Sequence, residues 1–195
     1  MKPPNILTLS RIALSPIFIL FFLINTSWSI LVCIVIAALI ELTDFLDGKL
    51  ARRNRQISDF GKLMDPFADS ISRFTIFLSF LSADLAPVWL IVIFFYRDSL
   101  VSVVRVFSMK EGVVVAARQS GKTKAWVQAV TIFLVLFILY FQKLSLFGSL
   151  LTPPNHIYLT TVIIAVAAVV TLWSAFDYWK ANKDIVISAM KIREQ

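Results

Sequence analysis

The sequence is poor in charge, glycine, cysteine and histidine. Of its 195 residues only 16% are charged, 5 are glycine, and cysteine and histidine occur once each. So little glycine excludes collagen-like chains, and a single cysteine excludes a small secreted domain stabilised by internal disulfides. Disordered chains are excluded because they are hydrophilic. Since Cys33 lies in an apolar run, we expect it to be buried and to serve in packing.

Apolar residues dominate what remains. They make up 58% of the chain, against roughly 45–50% in an average soluble domain, and the mean hydropathy is +0.81. Six apolar segments are candidates to cross a bilayer, which takes about 20 residues of helix: 6–24, 29–45, 71–83, 86–107, 125–147 and 156–178. The third reaches this length only if its helix begins near Phe60. The sequence therefore predicts an all-α, polytopic membrane protein, a six-transmembrane-helix bundle forming a single domain over residues 1–195.

The basic residues are distributed unevenly between the two sides of this predicted bundle. If the N-terminus is cytoplasmic, the outer connections lie near residues 25–28, 82–85 and 143–155, and Lys143 is their only lysine or arginine. Because basic loops remain cytoplasmic during insertion, both termini are predicted to be cytoplasmic, in a multi-pass protein of the cell (inner or plasma) membrane. Contact with anionic membrane lipid accounts for the net charge of +7, so no nucleic-acid partner is expected.

Acidic residues concentrate where the second predicted helix ends and the third begins. Asp44 and Asp47 share one helix face, as do Asp65 and Asp69. A short connection would make the two helices antiparallel neighbours and bring four carboxylates to one level. Such carboxylates repel one another and are costly near hydrocarbon, which predicts one or two divalent cations, Mg²⁺ or Mn²⁺ because every donor is oxygen. The alternative is that the aspartates only pair with nearby basic residues, namely Lys49, Arg52, Arg53, Arg55 and Lys62.

The same stretch carries a longer pattern. Residues 44–69 read Asp-x2-Asp-Gly-x2-Ala-Arg-x8-Gly-x3-Asp-x3-Asp. This resembles the signature of the CDP-alcohol phosphatidyltransferases, with every fixed position present. Segments 4–11, 61–69 and 120–128 are also similar to a bacterial branch of that family whose acceptor is glycerol 3-phosphate. The chain departs from that branch at Asp98, where Glu is common, and at Ala125, where Thr is common.

The resemblance implies an enzyme that transfers a phosphatidyl group from CDP-diacylglycerol to glycerol 3-phosphate and releases CMP. It implies a two-metal site in which Asp44, Asp47 and Asp65 hold one ion, while Asp65 and Asp69 bind the second. Asp69 matches the general base. The positions that match contacts to CDP-diacylglycerol are Asn5, Thr8, Gly48, Arg52 and Ser58. A homodimer, with the active site at the cytoplasmic face, is also implied.

A second basic group begins on the fourth predicted helix. Arg97 and Arg105 are eight residues apart and so share a helix face. Near mid-membrane Arg97 requires a pocket or a partner, and Asp98 is the candidate partner. We predict that the acceptor's phosphate is bound by Arg105, Arg118, Lys122 and Lys124. A plain cytoplasmic basic loop is the alternative.

Two rival functions remain open at this point. One is the same reaction with another acceptor: inositol phosphate, phosphatidylglycerol or serine. The other, more remote, is a cation transporter that uses the carboxylates as an ion path. A transporter predicts polar groups continuing across the membrane, but Asp84 is the only acidic residue of the outer half.

Overall fold

Six α-helices form the described part of the chain, which comprises residues 3–54, 59–110, 118–145 and 154–190 of a computed structural model; these residues contain no β-strand. In chain order the helices are α1 (Pro3–Ile24), α2 (Ser27–Asn54), α3 (Asp59–Ser82), α4 (Val88–Lys110), α5 (Gln119–Lys143) and α6 (Asn155–Met190). The predicted all-α class is confirmed, and each predicted apolar segment falls on its own helix. The third helix begins at Asp59, beside its expected start.

Within the described residues, three helices contain a segment that is long and apolar enough to cross a membrane. These segments are Ser27–Leu46, Gln119–Lys143 and Asn155–Lys183, and α1 adds a shorter apolar stretch, Thr8–Ile24. The helices α3 and α4 carry charged residues such as Arg73 and Arg97 within their length, which lowers their hydropathy. Length and composition therefore indicate three spans, and the full set of six stays a prediction.

The helices pack around α1, α5 and α6. The helix α1 contacts both α2 and α3, α5 packs along α6 and α2, and α4 packs on α6 and α3. Along their described lengths the backbones of α2 and α3 do not pack closely against each other, and the two helices meet through side chains, Arg73 of α3 on Glu41 of α2. Phe22 of α1 instead contacts Phe80 of α3, with ring centroids 5.8 Å apart, so α1 occupies the position beside α3 that α2 was expected to fill.

The core draws apolar side chains from all six helices. Its fully buried members include Phe18, Ile30, Phe77, Ile91, Leu136 and Ile164. Cys33 is a free thiol buried in this core, with its sulfur 3.7 Å from the Phe18 carbonyl oxygen. The predicted burial of Cys33 is confirmed.

Candidate active site

A polar cavity of about 210 Å³ lies between α3, α4, α5 and α6. Of its described lining residues six are basic (Arg73, Arg97, Arg105, Arg118, Lys122 and Lys124) and two are acidic (Asp69 and Asp98). The first turns of α5 line the same space, and the positive end of a helix dipole favours an anion there. The cavity is therefore suited to phosphate. The four residues predicted to bind the acceptor's phosphate all lie in it, together with Asp69.

Arg73 joins α3 to α2 at the acidic end of the cavity. Its Nε and Nη2 donate to the two carboxylate oxygens of Glu41, at 3.1 Å each, and its Nη1 donates to Asp69 Oδ2 at 3.2 Å. The guanidinium is buried, and this fork fixes the carboxylates in position because its donors are coplanar. The sequence analysis missed Arg73, although its i, i+4 spacing from Asp69 was a local signal for this pair; no local spacing relates it to Glu41, 32 residues earlier.

Asp44 of α2 is held in place by a side chain of α1. The fully buried Arg11 of α1 donates from Nη1 to Asp44 Oδ1 at 2.6 Å. Asp44 lies three residues after Glu41 on α2, and Arg73 joins Glu41 to Asp69 of α3, so the carboxylates of Asp44 and Asp69 belong to adjoining ion pairs. Thr8, one turn before Arg11, is buried on the same helix.

Several predicted site residues fall outside what the structure describes. The side chains of Asn5, Asp47, Arg52 and Asp65 and the surroundings of Gly48 are among them, and Ser58 is wholly outside. Within the described part of the chain, no group of three or more His, Cys, Asp or Glu side chains is arranged to hold a metal ion. Asp44 and Asp69 supply the oxygen donors that Mg²⁺ prefers, but here each of the two is paired with an arginine.

Asp98 is the centre of a buried ion-pair network in the wall of the polar cavity. The Lys124 ammonium lies 2.8 Å from both Asp98 carboxylate oxygens. Arg97 donates from Nη1 to Asp98 at 3.0 Å and from Nη2 to the Ser174 hydroxyl at 2.8 Å. The predicted Arg97–Asp98 pair is confirmed, because the long arginine side chain bends back to its neighbour. Two cations on one carboxylate leave a net positive charge, and Lys124 is held by Asp98 as well as lining the cavity.

Arg118 at the start of α5 is tied to α6. Its Nε and Nη2 donate to the two carboxylate oxygens of Asp177, at 2.7 and 2.9 Å. The Ser120 hydroxyl donates to the same carboxylate. The hydrogen bond to Asp177 raises the pKa of Arg118 above its usual value, so this guanidinium is charged at any physiological pH. Asp177 was not predicted as a site residue, because it lies 59 residues beyond Arg118 in the sequence.

An apolar pocket of about 120 Å³ adjoins the polar cavity between α3 and α4. Its apolar lining consists of Phe67, Ile71, Phe74, Phe77, Phe94 and Phe95. The two spaces share Ser70, Arg73, Asp98 and Ser102. An amphipathic molecule could thus place an anionic group on the basic side and an apolar chain on the aromatic side.

Known proteins resemble this chain along most of its length. The family model for CDP-alcohol phosphatidyltransferase matches residues 1–173. A Bacillus subtilis protein named CDP-diacylglycerol--glycerol-3-phosphate 3-phosphatidyltransferase is 34% identical over 73% of this chain and 80% of its own length. Proteins of the same name from Yersinia enterocolitica and Rickettsia bellii are 32% and 34% identical, over 94% and 92% of this chain and 96% and 94% of their own lengths. The chain belongs to the CDP-alcohol phosphatidyltransferase family.

Proposed function

We propose that the protein transfers the phosphatidyl group of CDP-diacylglycerol to glycerol 3-phosphate, giving phosphatidylglycerol phosphate and CMP. The observation that carries this proposal is the polar cavity, where Asp69 and an excess of basic side chains line one space. The adjoining aromatic pocket suits a lipid substrate or product. The names of relatives that align along nearly the whole chain favour the same acceptor.

In this proposal the basic side chains bind the acceptor and Asp69 accepts its proton. Arg105, Arg118, Lys122 and Lys124 bind the phosphate of glycerol 3-phosphate. The primary hydroxyl of glycerol 3-phosphate donates its proton to the Asp69 carboxylate, and its oxygen attacks the phosphorus that carries diacylglycerol. The bond from that phosphorus to CMP breaks. Positioning contributes most to such phosphoryl transfers, so no covalent enzyme intermediate is needed.

The remaining substrate and metal contacts are proposed on the signature residues. Asp44, Asp47, Asp65 and Asp69 would hold two Mg²⁺ or Mn²⁺ ions. Bound there, divalent cations supply neutralisation of the pyrophosphate charge. The cytidine and diphosphate part of CDP-diacylglycerol would contact Asn5, Thr8, Gly48, Arg52 and Ser58. At the level of the molecule we propose one domain of six transmembrane helices, homodimeric, with both termini and the active site at the cytoplasmic face of the cell membrane.

CMP release by the purified protein tests the reaction and its acceptor together. We expect release from CDP-diacylglycerol with Mg²⁺ when glycerol 3-phosphate is added, and none with inositol phosphate, phosphatidylglycerol or serine. Chelation of divalent cations should stop release, and Mg²⁺ or Mn²⁺ should restore it.

Each other outcome has a distinct meaning. Release with a different alcohol would retain the family chemistry but contradict the acceptor. A folded sample that binds metal and releases no CMP with any acceptor would favour the transporter instead.

Asp84→Asn is the matched control for variants that remove a carboxylate from the site. Asp84 lies in the exposed turn between α3 and α4, and its φ of 56° is one that Asn tolerates.

A further inference from the structure

Asp177 of α6 fixes the start of α5 beside the polar cavity. It accepts two hydrogen bonds from the Arg118 guanidinium, from Nε and Nη2, and a third from the Ser120 hydroxyl. Two parallel bonds to a carboxylate fix the plane of a guanidinium as well as its position, which a single bond does not.

Arg118 would have little else to orient it. Its side chain is 41% exposed, compared with 29% for Asp177. It is also the N-cap residue of α5, so helical packing does not begin until the next position. A half-exposed arginine without a partner samples many rotamers, and binding an anion would then require ordering them.

Arg118 lies on the side of Asp177 that faces the cavity. Among the described residues Arg118 lines the cavity and Asp177 does not. The two bonds to Asp177 use Nε and Nη2, so Nη1 takes part in neither of them. A phosphate in the cavity would therefore meet the guanidinium before it meets the carboxylate behind it.

We infer that Asp177 is a positioning residue for the acceptor: it holds the Arg118 guanidinium in the orientation that binds the acceptor's phosphate. This inference rests on the proposed function, because it requires a phosphorylated acceptor in the cavity. The Asp177 carboxylate also repels a phosphate, but the nearer positive charge of Arg118 outweighs that repulsion. The KM for glycerol 3-phosphate should therefore depend on Asp177, whereas the KM for CDP-diacylglycerol should not.

A double-mutant cycle in the full-length protein tests this role. CMP release is measured for the unchanged protein, Asp177→Asn, Arg118→Gln and the double variant. We expect Asp177→Asn to raise the KM for glycerol 3-phosphate about tenfold, with kcat and the KM for CDP-diacylglycerol within about twofold. The double variant should be no worse than Arg118→Gln alone, because Asp177 acts through Arg118. Asp177→Glu should recover part of the loss.

Inorganic phosphate and Asp84→Asn provide the controls. As a competitive inhibitor, phosphate should bind Asp177→Asn more weakly by the same factor as glycerol 3-phosphate does, and Asp84→Asn should change neither value. A lower KM in Asp177→Asn would mean that the carboxylate competes with the acceptor, and this would overturn the proposal. An unchanged KM, or an equal rise in both KM values, would overturn it too.

The failure of the proposed function can be told apart from the failure of this inference. If the unchanged protein releases no CMP with glycerol 3-phosphate, the proposed function fails. Calorimetric binding of inorganic phosphate to the same four proteins and to Asp84→Asn then decides the inference alone. Weaker binding in Asp177→Asn but not in Asp84→Asn supports the positioning of Arg118, and equal binding in all of them contradicts it.

Discussion

Asp69 lines the polar cavity and is also ion-paired with Arg73. Arg73 donates a hydrogen bond to Oδ2 of this carboxylate, and Oδ1 takes no part in that bond. The other described carboxylates at the site are paired in the same way, Asp44 with Arg11 and Asp98 with Lys124. Pairing of this kind offsets the cost of removing both charges from water, and removing one partner of a fully buried pair typically costs about 3–5 kcal/mol. The side chains of Asp44 and Asp69 are 44% and 29% exposed, so their substitution should cost less. Substitutions at these residues must therefore be read for stability as well as for activity.

Asp69→Asn should separate the base from the fold. The amide keeps the shape of the side chain and can still accept a hydrogen bond from Arg73, but it cannot take a proton from the acceptor. We expect CMP release to fall by at least about 10²–10⁴-fold. Binding of CDP-diacylglycerol and the midpoint of thermal unfolding should stay close to those of the unchanged protein.

Asp84→Asn is the control, and the rate of CMP release by this variant should be unchanged. It removes a carboxylate from the turn that follows α3, whereas Asp69 lies in the first half of that helix. Retained turnover in Asp69→Asn would rule out Asp69 as the general base. A large fall in the unfolding midpoint together with lost turnover would assign Asp69 a structural part in the Arg73 network instead.

Two threonines of α6 contact one buried backbone carbonyl in the turn between α3 and α4. The Thr161 hydroxyl donates to the Leu85 carbonyl oxygen at 3.1 Å, and the Thr160 hydroxyl shares its proton between that oxygen, at 3.1 Å, and the Ile157 carbonyl oxygen, at 3.0 Å. Thr160 and Leu85 are buried. Each bond duplicates the other, so we expect Thr160→Val or Thr161→Val alone to lower the free energy of unfolding by less than about 1 kcal/mol.

The double substitution Thr160→Val/Thr161→Val should cost more than the sum of the two single changes. It leaves the Leu85 carbonyl without either donor, which typically costs about 1–3 kcal/mol. Thermal unfolding in detergent measures all three variants. Additive effects would show that the carbonyl has another donor. CMP release should be unchanged, because Leu85 does not line the cavity described here.

Local sequence patterns predicted the elements better than they predicted their partners. Apolar length placed all six helices, and the requirement for a full span placed the start of α3 beside Asp59. The i, i+8 spacing correctly put Arg97 and Arg105 on one wall. By contrast, the fork between Arg73 and Glu41 joins two helices that pack mainly on α1. Tertiary packing alone decides such pairs, so no spacing within one helix reveals them.

Over the molecule as a whole, large apolar side chains face outward. Leu20, Trp89, Trp126, Val169 and Phe176 are each more than 60% exposed, and they come from four different helices. A water-soluble monomer rarely exposes so many, because each would raise its free energy in water. In a bilayer the same surface is favourable, and it agrees with the apolar helices in indicating a membrane protein.

The proposed orientation can be tested by labelling introduced cysteines, because the unchanged chain has a single cysteine. Cys33, the only cysteine, is fully buried and should resist a membrane-impermeant maleimide in intact cells. Ala83 and Lys183 are exposed, Ala83 after the end of α3 and Lys183 near the end of α6. With both termini cytoplasmic, Ala83→Cys should be labelled from outside the cell, whereas Lys183→Cys should be labelled only after the membrane is permeabilised. The reverse pattern would invert the protein, place the basic cavity outside the cell and contradict the proposed orientation. Labelling of both from outside would mean an even number of crossings between Ala83 and Lys183, whereas six spans require three.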